Sequence, residues 1–99
     1  MRLLKWSIVT VKYRTKDGQA DYEFSFEPRD GNWRAYIVCQ PSYRSRATDA
    51  VSTHRLTDDH GRRYVCWRGA LRTKEEAKQV AALWSDRTQA YIKYGTPIQ

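Results

Sequence analysis

Between Tyr43 and Arg72 the chain sets seven arginines, Arg44, Arg46, Arg55, Arg62, Arg63, Arg68 and Arg72, against three acids, Asp49, Asp58 and Asp59, and places Tyr43, Tyr64 and Trp67 among them. A guanidinium is planar and permanently charged. Its donors form a fork that fits two phosphate oxygens, and its flat side lies well on an aromatic ring. Such residues at short intervals suit a phosphorylated, stacked ligand better than a plain solvated surface. Arginine also exceeds lysine twelve to six across the chain. That preference points the same way, because the planar fork fits a guanine edge as well as a phosphate.

Catalytic chemistry has less support. Asp58-Asp59-His60 offers metal or nuclease ligands, but the same residues make a polar turn before Gly61. His54 is expected on the inward side of a strand as a hydrogen-bonded structural histidine, with Cys66 on the opposite face, too far round for a nucleophile–base pair. No glycine-rich phosphate loop, paired-histidine motif or serine elbow occurs. The two cysteines, Cys39 and Cys66, lie in no CxxC spacing, so free thiols are expected and neither a metal nor a cofactor is called for.

These side chains need a scaffold, and 99 residues with thirteen aromatics make one domain with one core. Lys16-Asp17-Gly18-Gln19 marks a tight hairpin, since Asp-Gly tolerates the positive φ such a turn demands. Pairing Lys16 with Gln19 opposes Tyr13, Val11 and Val9 to Tyr22, Phe24 and Phe26 on one side, and Arg14 and Lys12 to Asp21 and Glu23 on the other. A one-residue slip destroys both patterns. Opposing Pro28 and Trp33 around a four-residue loop brings Ala35, Ile37 and Cys39 onto the apolar side and Arg34 opposite Glu27. The outer face of these three strands therefore reads as an ordinary charge-balanced, solvated one.

Pro41 ends the third strand, and residues 41–50 read as a polar surface loop carrying Tyr43, Arg44 and Arg46. Residues 51–57 and 62–68 alternate as a second hairpin. Opposing Thr57 and Arg62 sends Leu56, Val65 and Trp67 inward and gathers Arg55, Arg62, Tyr64 and Arg68 outward with no facing carboxylate. Thr73-Lys74-Glu75-Glu76 is a capping box at a helix start. Ala77, Val80, Ala81, Trp84, Thr88, Tyr91 and Ile92 follow at helical spacing until Gly95 and Pro97. The expected fold is α+β. Five antiparallel, mostly sequential strands (about 6–14, 20–27, 33–40, 51–57 and 62–68) pack on one long C-terminal helix (about 74–94), leaving one sheet face open.

The net charge of +7 directs attention to anionic partners. Residues 41–72 carry seven basic side chains against three acidic ones, the largest local excess in the chain. Met1–Thr10, broken by Lys5 and Ser7, lacks the apolar run and cleavage site of a secretion signal, and no membrane segment is visible; a cytoplasmic protein is expected. The leading functional expectation is a non-catalytic nucleic-acid-binding module using Tyr43, Arg44, Arg46, Arg55, Arg62, Tyr64 and Arg68. If about four phosphates of a duplex were engaged, log affinity would fall with log salt at a slope near −3.6, or about −0.9 per contact. The alternative is an adaptor or inhibitor that docks the same basic face on an acidic protein surface. Oligomeric state, and any homodimer through the open face, is left open.

Overall fold

The first reversal of a computed structural model, which describes residues 9–99, keeps the register that the Asp-Gly signal implies but not the two-residue turn. Thr15 and Ala20 close a four-residue loop, its reversal is centred on Lys16 and Asp17, and Asp17 is not at positive φ. Gly18 takes φ +73°, its N–H donates to the Thr15 carbonyl, and strands β1 (Val11–Arg14) and β2 (Asp21–Arg29) diverge from that turn. Val11 opposes Phe24 and Tyr13 opposes Tyr22 on the inner side, with Lys12 opposite Glu23 and Arg14 opposite Asp21 outside, as the turn register requires. Residues 6–8 of the expected first strand lie outside the described residues. Val9 is unpaired and 72% exposed, so its expected contact with Phe26 is not made.

Strand β3 (Asn32–Cys39) pairs with β2 through Glu27–Arg34, Phe26–Ala35 and Phe24–Ile37. Two details differ from the sequence expectation. The ladder continues to Arg29 opposite Asn32, so only Asp30 and Gly31 turn the chain, both at positive φ; that is the mirror-type turn a twisted hairpin favours. At the other end a bulge places Cys39 opposite Glu23 instead of Tyr22, and Cys39 faces solvent.

The second hairpin departs further. Residues expected to open the fourth strand instead form a one-turn helix, α1 (Ala50–Thr53), because the Asp49 carboxylate caps it by accepting from the Ser52 N–H. His54 closes the turn with φ 52°, so it is a helix cap and no strand residue. Strands β4 (Arg55–Thr57) and β5 (Arg63–Val65) are short, and Thr57 pairs with Arg63, one position beyond the expected Arg62. The cause is Asp58: one of its carboxylate oxygens accepts from the N–H groups of both His60 and Arg62 at 2.9 Å, which holds a five-residue loop. One step of register turns every side chain over. Arg55 shares a side with Val65, and Leu56 with Tyr64.

All five strands join one antiparallel sheet in the order β1-β2-β3-β5-β4, sequential except that the last two are exchanged. Helix α2 (Lys74–Tyr94) backs it. Thr73 accepts from the Glu76 N–H, whereas the Glu76 carboxylate reaches the Arg72 N–H, and Gly95 stops the helix in the left-handed conformation. All seven residues of the expected stripe are buried, together with Ser85. Trp84 stands edge-on to Tyr22 and Phe24, with ring centres at 5.9 and 6.1 Å. Each such aromatic pair contributes about 0.5–1.5 kcal/mol beyond the area it buries. The Trp84 indole N–H donates to the Thr53 carbonyl at 2.9 Å, tying the helix to α1. Among the described residues no helix is long and apolar enough to cross a membrane.

Candidate functional site

The seven residues expected to form one binding surface, four on the open sheet face and three on the 41–50 loop, are divided among five environments. Tyr43 is buried, 6% exposed, and stacks edge-on against Tyr91 beside Ile92 and Ile98, so it belongs to a second core under the 41–50 segment. Burial pushes its phenol pKa upward. Arg46 donates to the carbonyls of Ile92 and Lys93, where it satisfies the last turn of α2 at the negative end of the helix dipole. Arg55 faces inward and is 9% exposed, contrary to expectation. Its guanidinium sits 4.7 Å from the Tyr43 ring centre and donates to Gln40, and burial draws its pKa down. Arg44 is exposed at φ 59°, while Arg68 borders a cleft on the helix side of the sheet.

Of the seven, Arg62 and Tyr64 come together on the open face, and Arg55, although turned inward, reaches the edge of the same depression as Arg62. On that face Arg62 and Tyr64 join Glu27, Arg29, Arg34, Tyr36 and Asp58, none of which the sequence reading had singled out for binding. Tyr36 points away from α2, yet is only 1% exposed, because arginines and Tyr64 roof it over. The Arg62 guanidinium lies 3.8 Å from the Tyr36 ring centre and that of Arg34 lies 4.1 Å from the Tyr64 ring centre. The two rings are 5.6 Å apart. Arg29 and Arg34 both donate to the Tyr36 hydroxyl, at 3.1 and 3.2 Å, and that hydroxyl donates to Asp58 at 3.1 Å.

The charge is partly offset. Glu27 accepts from both terminal nitrogens of Arg62, which overturns the expectation that Arg62 has no carboxylate partner. Those hydrogen bonds hold the Glu27 carboxyl below the usual range and raise the Arg62 pKa; the bond to Tyr36 does the same for Arg34. Burial opposes ionisation of Asp58, but the N–H groups of Arg62 and His60 and the Tyr36 hydroxyl outweigh it and lower its pKa. Arg29 and Arg34 have no carboxylate within ion-pair distance among the described residues. The face is not flat. A depression of about 850 Å³ is bordered by Ser25, Tyr36, Val38, Arg62 and Arg63, and a second of about 240 Å³ by Arg29, Arg34, Leu56, Tyr64 and Trp67.

The strand pairing held a signal for this cluster. The alternation that sends Ala35 and Ile37 inward sends Tyr36 outward, and a large aromatic on a solvated face needs cover. Asp58 and His60 form the turn that the sequence suggested, while His54 and Cys66, expected on opposite faces, border the same cleft. Among the described residues no group of three His, Cys, Asp or Glu side chains is placed to hold a metal. Comparison with protein-family models, with curated proteins and with solved structures finds no match to this chain.

Proposed function

We propose that the protein is a cytoplasmic binding module for single-stranded nucleic acid, which it takes on the open face of its sheet. One observation carries this: two guanidiniums stand over the rings of two adjacent tyrosines, at 3.8 and 4.1 Å from the ring centres, outside the core and already ordered. A guanidinium seated over a ring can take a nucleobase on its other side, Arg34 also has no carboxylate partner among the described residues to compete with phosphate, and the side-chain entropy of ordering these groups is already spent in folding. Bases stack on guanidinium planes as they do on aromatic rings, and a single strand leaves its bases free to do so. The two depressions beside the Tyr36–Tyr64 pair supply space for neighbouring bases. Cys39 and Cys66 as free thiols accord with a reducing compartment.

Arg29 and Arg34 are the cations bonded to Tyr36 that have no carboxylate partner among the described residues, and with these two engaged about two phosphates are neutralised. Log affinity for a single strand then falls with log salt at a slope of about −1.4, from roughly −0.7 per contact. Fluorescence anisotropy of labelled oligothymidylate and oligouridylate across a salt series tests this. A flat response, or no binding at low salt, overturns it.

A second reading has its own support. Val38 and Leu56, 50% and 40% exposed, border the two depressions, and Glu27 and Asp58 offset part of the charge. Such a mixed surface also suits an acidic protein partner. Recovery of one partner protein after nuclease treatment, without retention on single-stranded nucleic acid, selects that reading.

A further inference from the structure

The opposite side of the molecule carries a different opening. A cleft of about 630 Å³ lies between the end of β5, the middle of α2 and the C-terminal segment that turns back at Gly95. Its walls are mostly apolar, with Val65, Leu83, Trp84 and Ile98 contributing. That volume and lining are those of a small-molecule site. Trp67 stands on the wall and is 44% exposed, a large flat apolar surface with little covering it.

Two cations border this apolar space. Arg68 makes no hydrogen bond to a described residue and has no carboxylate partner among them. Arg87 donates to a main-chain oxygen of Gln99, and its other guanidinium nitrogens bond no further described residue. No acidic side chain borders the cleft, and the terminal carboxylate of Gln99 in this 99-residue chain offsets one of the two arginines. An apolar cleft that keeps one uncompensated guanidinium is complementary to a ligand with a flat hydrophobic body and one negative group. A neutral apolar ligand would leave the arginines unused, and a hydrophilic anion would leave the tryptophan wall unused.

We infer that this cleft binds a small aromatic anion, its carboxylate or sulfonate held between Arg68 and Arg87 and its ring system against Trp67 and Leu83. The cleft shares Trp67 with the smaller depression of the Arg–Tyr face, but Arg68, Leu83 and Arg87 border the cleft and neither depression, and the site is inferred independently of nucleic-acid binding.

The test uses 1-anilinonaphthalene-8-sulfonate and its uncharged counterpart N-phenyl-1-naphthylamine, titrated into the full chain with dye fluorescence and the Leu83 methyl resonances as readouts, since Leu83 borders this cleft and neither depression of the open face. Saturable one-to-one binding of the sulfonate is expected, with the Leu83 resonances shifting. Arg68→Gln should weaken it about tenfold and leave the neutral dye unchanged. Arg87→Gln should do the same; because Arg87 also holds the C-terminal segment, Arg68→Gln alone decides if that variant unfolds. Equal affinity for the two dyes, insensitivity to Arg68→Gln, or shifts confined to the Tyr36–Tyr64 face would overturn the inference.

Discussion

Glu27 holds both terminal nitrogens of Arg62, at 3.0 and 2.5 Å, across the gap between β2 and the loop that precedes β5. The pair therefore fixes the guanidinium over Tyr36 and at the same time takes up its charge. Glu27→Gln separates these effects. The pair is half exposed, so stability in urea should fall by only about 0.5–1 kcal/mol. Freed of its partner, Arg62 becomes a third phosphate contact. Single-strand affinity should rise, and the salt slope should steepen from about −1.4 to about −2.1. Unchanged binding in this variant would show that Arg62 does not face the ligand.

Tyr36 is the structural centre of the cluster, since its hydroxyl accepts from two guanidiniums and donates to Asp58. Tyr36→Phe leaves those three groups short of a partner at a buried position and should cost about 1–2 kcal/mol in urea denaturation. The Tyr64 hydroxyl bonds no described residue. Tyr64→Phe should fall within about 0.5 kcal/mol of the parent protein.

Arg44 and Arg46, two residues apart, should behave differently. Arg46 satisfies the carbonyls of Ile92 and Lys93, so Arg46→Ala should lower stability by about 1 kcal/mol through fraying of the end of α2. Arg44 is exposed, and Arg44→Ala should leave stability within about 0.5 kcal/mol. Thermal unfolding followed by circular dichroism distinguishes the two outcomes.

Much of the scaffold could be read before any coordinates because several local signals agreed. The Asp17-Gly18 signal, the facing aromatics of β1 and β2, and the Thr73 cap of α2 each specify a register or boundary by themselves, and those registers and that boundary hold. The second hairpin was less legible, since Asp49 and Asp58 act through side-chain bonds to nearby backbone N–H groups. One starts a helical turn where alternation suggested a strand, and the other lengthens a loop by one residue. That single step carried Arg55 inward. The expected arginine face therefore dispersed, and the cluster around Tyr36 depends on pairings between residues distant in sequence, such as Glu27 with Arg62, that no local pattern reveals.

Acid should weaken the fold in a defined window. Asp17 accepts from the Thr15 hydroxyl and the Gln19 N–H, and these bonds lower its pKa from 3.8 to about 2. Because the folded value lies below the unfolded one, its contribution is fully present above pH 4 or so and is lost as pH falls from about 3.8 to about 2. Glu27, Asp49 and Asp58 shift in the same direction and add to the slope. Urea midpoints across an acid series should decline there, and Asp17→Asn should make the decline shallower. An equally steep decline in that variant would remove Asp17 from the explanation.

The central claim, that ordered arginines on the open face receive a single strand, is tested most directly by comparing two double variants on the same labelled oligonucleotide at fixed salt. Arg34→Ala with Arg62→Ala removes both stacked guanidiniums, whereas Lys12→Ala with Arg14→Ala removes the same charge from another part of that face. The expected result is a loss of about tenfold or more for the first pair, from lost stacking together with lost charge, and a change of about twofold or less for the second. Equal losses would reduce the interaction to net charge, and undiminished binding by the first pair would contradict the claim outright.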